Sequence, residues 1–129
     1  MEIKKEVKKE NYAVKISLEE NGKVLGWAYV LIQYQDRHKE PYAYLENVYV
    51  EPGHQKAGYG TQLVKLALEE ARARGCYKII GTSKHHKKTV HEFYQKNGFT
   101  KYGYAFRIDL KKDTKTLTSD GTEEWTALK

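Results

Sequence analysis

The stretch GHQKAGYGTQL, residues 53–63, decides the fold of this chain because a glycine-rich turn runs directly into a helical pattern. Such turns bind phosphates, since backbone amides and the positive end of the helix dipole face the anion. A P-loop requires G-x-x-x-x-G-K-[ST]. Gly53 and Gly58 have this spacing, but Tyr59 occupies the lysine position. The sequence therefore excludes a P-loop NTPase.

Two other phosphate-binding patterns compete for the same glycines. A dinucleotide-binding loop requires G-x-G-x-x-G, and Leu63 replaces its third glycine after Gly58 and Gly60, so this pattern fits poorly. Residues 55–60 fit [QR]-x-x-G-x-[GA], in which glycines let the backbone approach a pyrophosphate without a Cβ in the way. These six residues alone do not distinguish a phosphate-binding turn from an ordinary one.

The remaining patterns predict strands and helices on both sides of this turn. Asn21-Gly22 predicts a β-hairpin, and alternating residues predict a strand over 42–50 that Pro52 ends. The elements expected after it are a helix from the glycines to Gly75, a strand over 76–82, a second helix that starts as late as Thr89 and ends before Gly98, and a last strand over 104–110. The predicted fold class is α+β, with helices packed on a mixed sheet.

Length and composition predict one domain over residues 1–129, with a core over 12–110 and a polar C-terminal tail over 111–129. The formal net charge of +6 suits an anionic partner, although scattered surface lysines explain it equally well. Nucleic acid is a disfavoured partner because no recognised binding motif is present. No apolar run has membrane-spanning length, and the single Cys76 has no partner for an internal disulfide, so we expect a cytoplasmic protein without membrane association.

Two further motifs add a family resemblance to the glycine pattern. YLENVYVEP, residues 44–52, precedes the turn, and FYQKNGF, residues 93–99, closes the second predicted helix. Together with residues 55–60, these motifs resemble the GNAT N-acetyltransferase superfamily. The resemblance implies a mixed, mainly antiparallel sheet with packed helices. About ten residues precede the hairpin, so the N-terminal lid helices of the family are expected to be missing.

The resemblance implies a binding site for acetyl-CoA as co-substrate, without a metal. The strand before the turn opens at a bulge in the family, which assigns pantetheine binding and carbonyl polarisation to the backbone of Val48 and Val50. Lys56 adds positive charge near the phosphates. The amides assigned to the pyrophosphate belong to seven consecutive residues, Gln55, Lys56, Ala57, Gly58, Tyr59, Gly60 and Thr61.

Two side chains are candidates for proton transfer. The resemblance places the Tyr94 hydroxyl near the CoA sulfur as the acid that protonates the leaving thiolate; a core tyrosine is the alternative. Glu46, on the strand that enters the site, is the candidate base, and it needs burial or a relaying water to accept an amine proton. The alternative for Glu46 is an exposed glutamate paired with a lysine.

The implied activity is acetyl transfer to the primary amine of a small molecule, an amino sugar phosphate being one candidate acceptor. The alternative is a CoA-binding regulatory module without turnover. A homodimer is expected, because a partner chain can supply the walls that the missing lid leaves open. His85, His86 and His91 are interpreted as a solvated or acceptor-facing cluster, since no carboxylate or cysteine completes a metal-ligand set.

Overall fold

The computed structural model describes residues 1–82, 88–117 and 123–127. A four-stranded sheet has the order β1-β2-β3-β4, in which the first three strands are antiparallel and β4 runs parallel to β3. The elements are β1 Tyr12–Glu20, β2 Lys23–Gln33, β3 Tyr42–Val50, α1 Tyr59–Ala73, β4 Ile79–Gly81, α2 Lys88–Lys96, β5 Asp113–Leu117 and β6 Glu123–Ala127. The mixed sheet with packed helices confirms the predicted fold class. Residues 1–11 contain no helix or strand.

The β1–β2 hairpin forms at the predicted turn. Asn21 and Gly22 have φ angles of 53° and 75°. Positive φ at both central residues is the requirement of a type I′ turn, whose twist matches that of the flanking strands. Asn and Gly tolerate this conformation best, so the dipeptide sets the register of the first two strands.

The core lies between α1 and one face of the sheet. Alternate residues of β2 and β3 point towards the helix, and α1 packs on them with an apolar stripe at helical spacing. The buried cluster consists of Ala28, Val30, Ile32, Ala43, Leu45, Leu63, Val64, Ala67 and Ala71. Each large aliphatic side chain in it contributes about 1.5–3 kcal/mol through burial. This packing fixes α1, and with it the glycine turn, against the middle of the sheet.

Both helices end in the same backbone motif. After α1, the amides of Gly75 and Cys76 donate to the carbonyls of Arg72 and Ala71, each at 3.0 Å. This is a Schellman motif, which needs a left-handed residue at its centre, and Gly75 has φ 77°. The motif turns the chain from α1 towards β4, where the predicted strand over 76–82 is regular only at its centre, Ile79–Gly81.

The predicted last strand over 104–110 is wrong. These residues contain no regular secondary structure and are exposed. Their alternating pattern favours an extended backbone, but a strand also needs a neighbour to accept its hydrogen bonds, and no described strand pairs with them. The tail contains an antiparallel pair instead, because β5 and β6 form a separate two-stranded sheet.

Among the described residues, no helix combines the length and apolar composition that a membrane span requires.

Gly26 marks the tightest approach within the sheet. A Cβ at this position would lie 2.6 Å from the carbonyl oxygen of Tyr49 and 3.3 Å from Cδ1 of Leu63. Neither β3 nor α1 can move without disturbing the core that they share. Only glycine therefore fits where β2 passes the end of β3.

We expect Gly26→Ala to lower the free energy of unfolding by about 1–3 kcal/mol, the usual cost of overpacking. Gly103→Ala is the matched control, because a Cβ there meets nothing within 4 Å. Urea denaturation of the two variants and the wild type measures the difference. Equal stability of Gly26→Ala and wild type would contradict the close approach.

Candidate active site

The glycine turn leaves a row of backbone amides open at the start of α1. Gly58 caps the helix in a left-handed conformation with φ 82°, and no side chain accepts from the first-turn amides. The first helical bond runs from the amide of Gln62 to the carbonyl of Gly58, at 3.1 Å. The amides of Tyr59, Gly60 and Thr61 therefore have no acceptor among the described residues. No acidic side chain occupies the first turn, so the positive end of the dipole is uncompensated.

Two short turns and one side chain hold this loop in place. The amide of His54 donates to the carbonyl of Glu51 at 3.1 Å, and the amide of Ala57 donates to the carbonyl of His54 at 3.2 Å. Nε2 of Gln55 donates to the carbonyl of Val50 at 3.2 Å. The glutamine side chain thus ties the turn back to β3, and the Ala57 amide is already engaged within the turn. Lys56 is exposed beside it.

A β-bulge in β3 opens the sheet next to this loop. Asn47 has φ 53°, and the β2 partners shift here, because Tyr29 faces Glu46 whereas Trp27 faces Tyr49. On the other side, β4 pairs with β3 only from Ala43 to Leu45. Beyond that point no described strand covers this edge of β3.

The open edge carries the backbone of Val48 and Val50. The amide of Glu51 donates to the carbonyl of Leu25 in β2, at 2.8 Å. Because strand backbone groups alternate in direction, those of Val48 and Val50 point away from β2, towards the gap. The Val50 carbonyl accepts from Gln55, as described above, and the remaining groups face a space that suits an extended ligand.

Tyr94 is held at this gap by the end of α2. The amides of Gly98 and Phe99 donate to the carbonyls of Gln95 and Tyr94 at 3.1 and 3.0 Å, which repeats the Schellman motif seen after α1. The Tyr94 and Phe99 rings meet edge to face, with centroids 5.2 Å apart. Local structure explains the glycine and the last phenylalanine of FYQKNGF. Gly98 adopts the left-handed conformation that ends the helix, with φ 94°, and Phe99 packs on Tyr94.

Tyr94 also lies against β4 and near a second tyrosine. A Cβ on Gly81 would lie 3.3 Å from Cε1 of Tyr94, so the absence of a side chain there lets the ring approach the strand. Burial raises the pKa of the half-buried Tyr94 phenol, and the neighbouring Tyr44 phenol raises it further. The Tyr44 hydroxyl lies 3.0 Å from Oγ1 of Thr82, with either group able to donate.

Tyr44 and Thr82 are neighbours of the candidate site that the sequence analysis missed. The signal for Tyr44 was present, because residues two apart on a strand share a face, and Tyr44 lies two positions before Glu46. Both therefore lie on the face of the sheet opposite α1. Tyr94 packs against the core, and the Tyr44 phenol raises its pKa from a strand position two residues before the candidate base.

Glu46 is exposed rather than buried. Together with Ala13, Tyr29, Leu31 and Asn47, it lines a shallow depression on the face opposite α1. The lysine pairing considered as the alternative does not occur among the described ion pairs. Since burial is absent, a role as base requires the other route, a relaying water.

Of the three histidines interpreted as a cluster, the described part of the chain contains His91. His91 lines the same cavity as Tyr94, whereas His85 and His86 lie outside the described residues. Within the described part of the chain, no three histidine, cysteine or acidic side chains come together as a metal site. Cys76 packs against the core, and burial raises the pKa of its thiol, which makes it a poor nucleophile.

Comparison with known proteins settles the family. The model of the Acetyltransferase (GNAT) family matches residues 2–99. The chain belongs to the GNAT family. The matched range contains the glycine turn, the bulged strand and the FYQKNGF motif, which confirms the resemblance read from these motifs.

Several relatives of this GNAT chain are known. It is 34% identical over 90 residues to a glucosamine 6-phosphate N-acetyltransferase of Trypanosoma brucei brucei, and the match covers 69% of the chain but only 59% of that relative. A putative acetyltransferase of Agrobacterium tumefaciens is 34% identical with a TM-score of 0.70, covering 75% of this chain and 68% of that one. An acetyltransferase of Trypanosoma brucei is 31% identical with a TM-score of 0.68, covering 76% and 69%.

The raised pKa of Tyr94 predicts a pH dependence of stability. A tyrosine whose folded pKa exceeds its unfolded value of 10.0 contributes its full stability below that value and loses it as the pH rises through the folded pKa. We expect wild type to lose this contribution above about pH 10, whereas Tyr94→Phe has none to lose. Urea denaturation of both proteins from about pH 8 to 11 measures it. Parallel stability profiles would contradict the burial of the phenol.

Proposed function

We propose that this protein is an acetyl-CoA-dependent N-acetyltransferase that acts on the primary amine of a small molecule. One observation supports this most strongly. The start of α1 has open amides, β3 has no described strand partner beyond Leu45, and the Tyr94 ring lies against Gly81, the last residue of β4 that pairs with β3. These are the parts that a thioester donor needs: an anion site, an extended channel and an acid.

The donor would be bound mainly by backbone groups. The amides of Tyr59, Gly60 and Thr61 would hold the pyrophosphate at the positive end of α1, with Lys56 adding charge. The pantetheine would run along Val48 and Val50 as an additional strand, which suits an edge without a strand partner. A backbone amide there would polarise the thioester carbonyl, a contribution worth about 2.7–4 kcal/mol per donor in other enzymes.

The transfer itself would be a direct attack. The amine lone pair adds to the carbonyl carbon, the C–S bond breaks, and the acetyl group leaves with the amine as an amide. Glu46 would take the amine proton through a water, because its carboxylate is exposed. Tyr94 would give its proton to the departing thiolate. A phenol is protonated at neutral pH, and burial raises the pKa of this one further, so the acid is loaded before each transfer.

The proposed acceptor is an amino sugar phosphate. The curated relative at 34% identity is named as a glucosamine 6-phosphate N-acetyltransferase, and that name supports this choice. The face opposite α1 offers tyrosines and a carboxylate, Tyr29, Tyr44 and Glu46, to an acceptor with hydroxyl and ammonium groups. An acceptor panel of amino sugars, their phosphates and simple amines, with thiol release as readout, tests the choice. Faster turnover of a simple amine would contradict it.

We expect Gly58→Ala to weaken acetyl-CoA binding about tenfold, since a left-handed alanine costs on the order of 1–2 kcal/mol and relaxes by moving the amides. Gly75→Ala is the matched control. Gly75 has a φ of 77° and Gly58 a φ of 82°, so an alanine is similarly strained at both positions. A Cβ at either position meets nothing within 4 Å, and Gly75 lies at the opposite end of the same helix. Calorimetric titration of both variants with acetyl-CoA distinguishes a change in the glycine turn, which weakens binding only in Gly58→Ala, from a general loss of α1, which weakens it in both. Equal affinities would contradict the assignment of the turn.

We expect Tyr94→Phe to lower turnover about 100-fold or more, the usual contribution of a positioned acid, while acetyl-CoA affinity stays unchanged. Tyr34→Phe, on an exposed tyrosine outside the site, is the control. Full turnover in Tyr94→Phe would remove the phenol from the mechanism. Acetyl-CoA binding by wild type without turnover on any amine would favour a CoA-binding module instead.

A further inference from the structure

The face of the sheet opposite α1 carries two opposite charges on either side of an aromatic ring. Lys15 of β1 is paired with Tyr29 of β2, and Tyr29 is paired with Glu46 of β3. Directly opposed residues share a face, and Val30 and Leu45, their neighbours along the strands, are buried against α1. We refer to Lys15, Tyr29 and Glu46 as the charged row. Adjacent strands lie about 4.7–4.9 Å apart, so about 10 Å separates the backbones of the lysine and the glutamate.

Neither charge of this row is neutralised within the described part of the chain. Both side chains are exposed, and neither Lys15 nor Glu46 forms an ion pair with a described residue. Nζ of Lys15 lies over two rings instead, 5.0 Å from the centroid of Trp27 and 5.7 Å from that of Tyr29. An ammonium binds an anion through a charge-assisted hydrogen bond more strongly than it binds the face of an exposed ring. Lys15 is therefore available to an anionic group of a ligand.

Aromatic rings form an apolar surface beside the charged row. Trp27 and Tyr49 are directly opposed two positions further along the strands, and their rings stack with centroids 4.4 Å apart. Both rings and that of Tyr29 are half-buried, and Tyr29 lines the same shallow depression as Glu46. The C–H groups of a sugar ring are apolar and pack on such rings, while its hydroxyls remain free to bind polar groups at the edge. The face is therefore complementary to a ring with a cation at one end and an anion at the other.

An amino sugar phosphate has this distribution of charge. Its sugar ring separates an ammonium group from a phosphate, so one molecule presents opposite charges to the two ends of the charged row. The proposed function assigns the amine to Glu46, which leaves the phosphate to point along the row towards Lys15. An amino sugar without a phosphate, or a simple amine, leaves Lys15 without a ligand. The row can thus distinguish acceptors by their phosphate.

We propose that Lys15 binds the phosphate of an amino sugar phosphate whose ring lies on Tyr29 and whose amine lies near Glu46, and that Lys15 thereby determines acceptor specificity. The inference rests on the proposed function, because it takes the position of the amine from the role of Glu46. Lys15 takes no part in the transfer itself. It binds the end of the acceptor away from the reacting amine and so orients that amine.

The test measures the binding of three sugars by calorimetric titration with CoA present, so that it does not require turnover. The full probe is glucosamine 6-phosphate, the phosphate-free probe is glucosamine, and the amine-free probe is glucose 6-phosphate. We expect wild type to bind the full probe about tenfold or more tightly than the phosphate-free probe, because the latter lacks a charge-assisted contact. The amine-free probe should also bind more weakly than the full probe.

The variants at Lys15 separate its charge from its packing. Lys15→Met removes the charge and keeps an unbranched side chain of similar length, so we expect it to lose the preference for the full probe over the phosphate-free probe. Lys15→Arg should retain the preference, because a guanidinium also binds phosphate and packs on aromatic rings. Lys65→Met is the matched control, since it removes the same charge from an exposed position on α1, across the sheet. Glu46→Gln should reduce instead the preference for the full probe over the amine-free probe.

A general loss of structure would weaken the binding of all three probes together and leave these preferences unchanged. An unchanged preference for the full probe in Lys15→Met overturns the proposal, because another group then recognises the phosphate. A wild type that binds none of the probes, or that binds the full and phosphate-free probes equally, also overturns it. Thiol release from acetyl-CoA, measured on the same proteins, reports separately on the transferase. Acetylation of amines without a preference for phosphate supports the transferase and overturns this inference, whereas Lys15-dependent binding without thiol release does the reverse.

Discussion

The separation of β3 from β4 after Leu45 is the constraint on which the site depends. Two strands that paired along their whole length would leave no space between them for a ligand. The bulge at Asn47 prevents such full-length pairing, because one extra residue redirects β3. The opposite edge of β3 remains hydrogen-bonded to β2. β3 is therefore paired with β2 on both sides of the bulge, whereas its edge towards β4 has no described strand partner beyond Leu45. The core beneath β2 and β3 holds the bulged strand in place despite the interrupted ladder.

The ends of both helices lie beside the candidate site. α1 presents amides at its start because its buried stripe fixes it against the sheet, and its Schellman ending sends the chain back to form β4. α2 ends in the same way, and there the motif packs Phe99 onto Tyr94. Left-handed glycines, Gly58 before α1 and Gly98 after α2, thus set the backbone geometry that leaves the α1 amides open and packs Phe99 on Tyr94.

Much of this arrangement could be predicted from sequence, and the exceptions have physical causes. The hairpin, β3, both helices and the parallel β4 follow from local turn chemistry and periodicity, which Asn21-Gly22, Gly75 and Gly98 specify within a few residues. The strand over 104–110 failed because alternation specifies an extended backbone but not its neighbour. Tyr44 and Thr82 were missed for a related reason. Their contact joins β3 to the residue that follows β4, and a contact between distant segments cannot be predicted from a pattern within one of them.

In the proposed site, backbone groups would contact the donor and side chains would contact the acceptor. This difference affects which changes of sequence can alter specificity. In the proposed function, the groups that would face the donor are amides and carbonyls, which nearly every residue type provides as long as the turn and the bulge keep their shape. The groups that would face the acceptor include the phenols of Tyr29 and Tyr44 and the carboxylate of Glu46, which lie on strands rather than in the glycine turn. If the proposed function holds, substitutions on the strands would change the chemistry offered to the acceptor one residue at a time, while recognition of the donor would be inherited with the backbone of the fold.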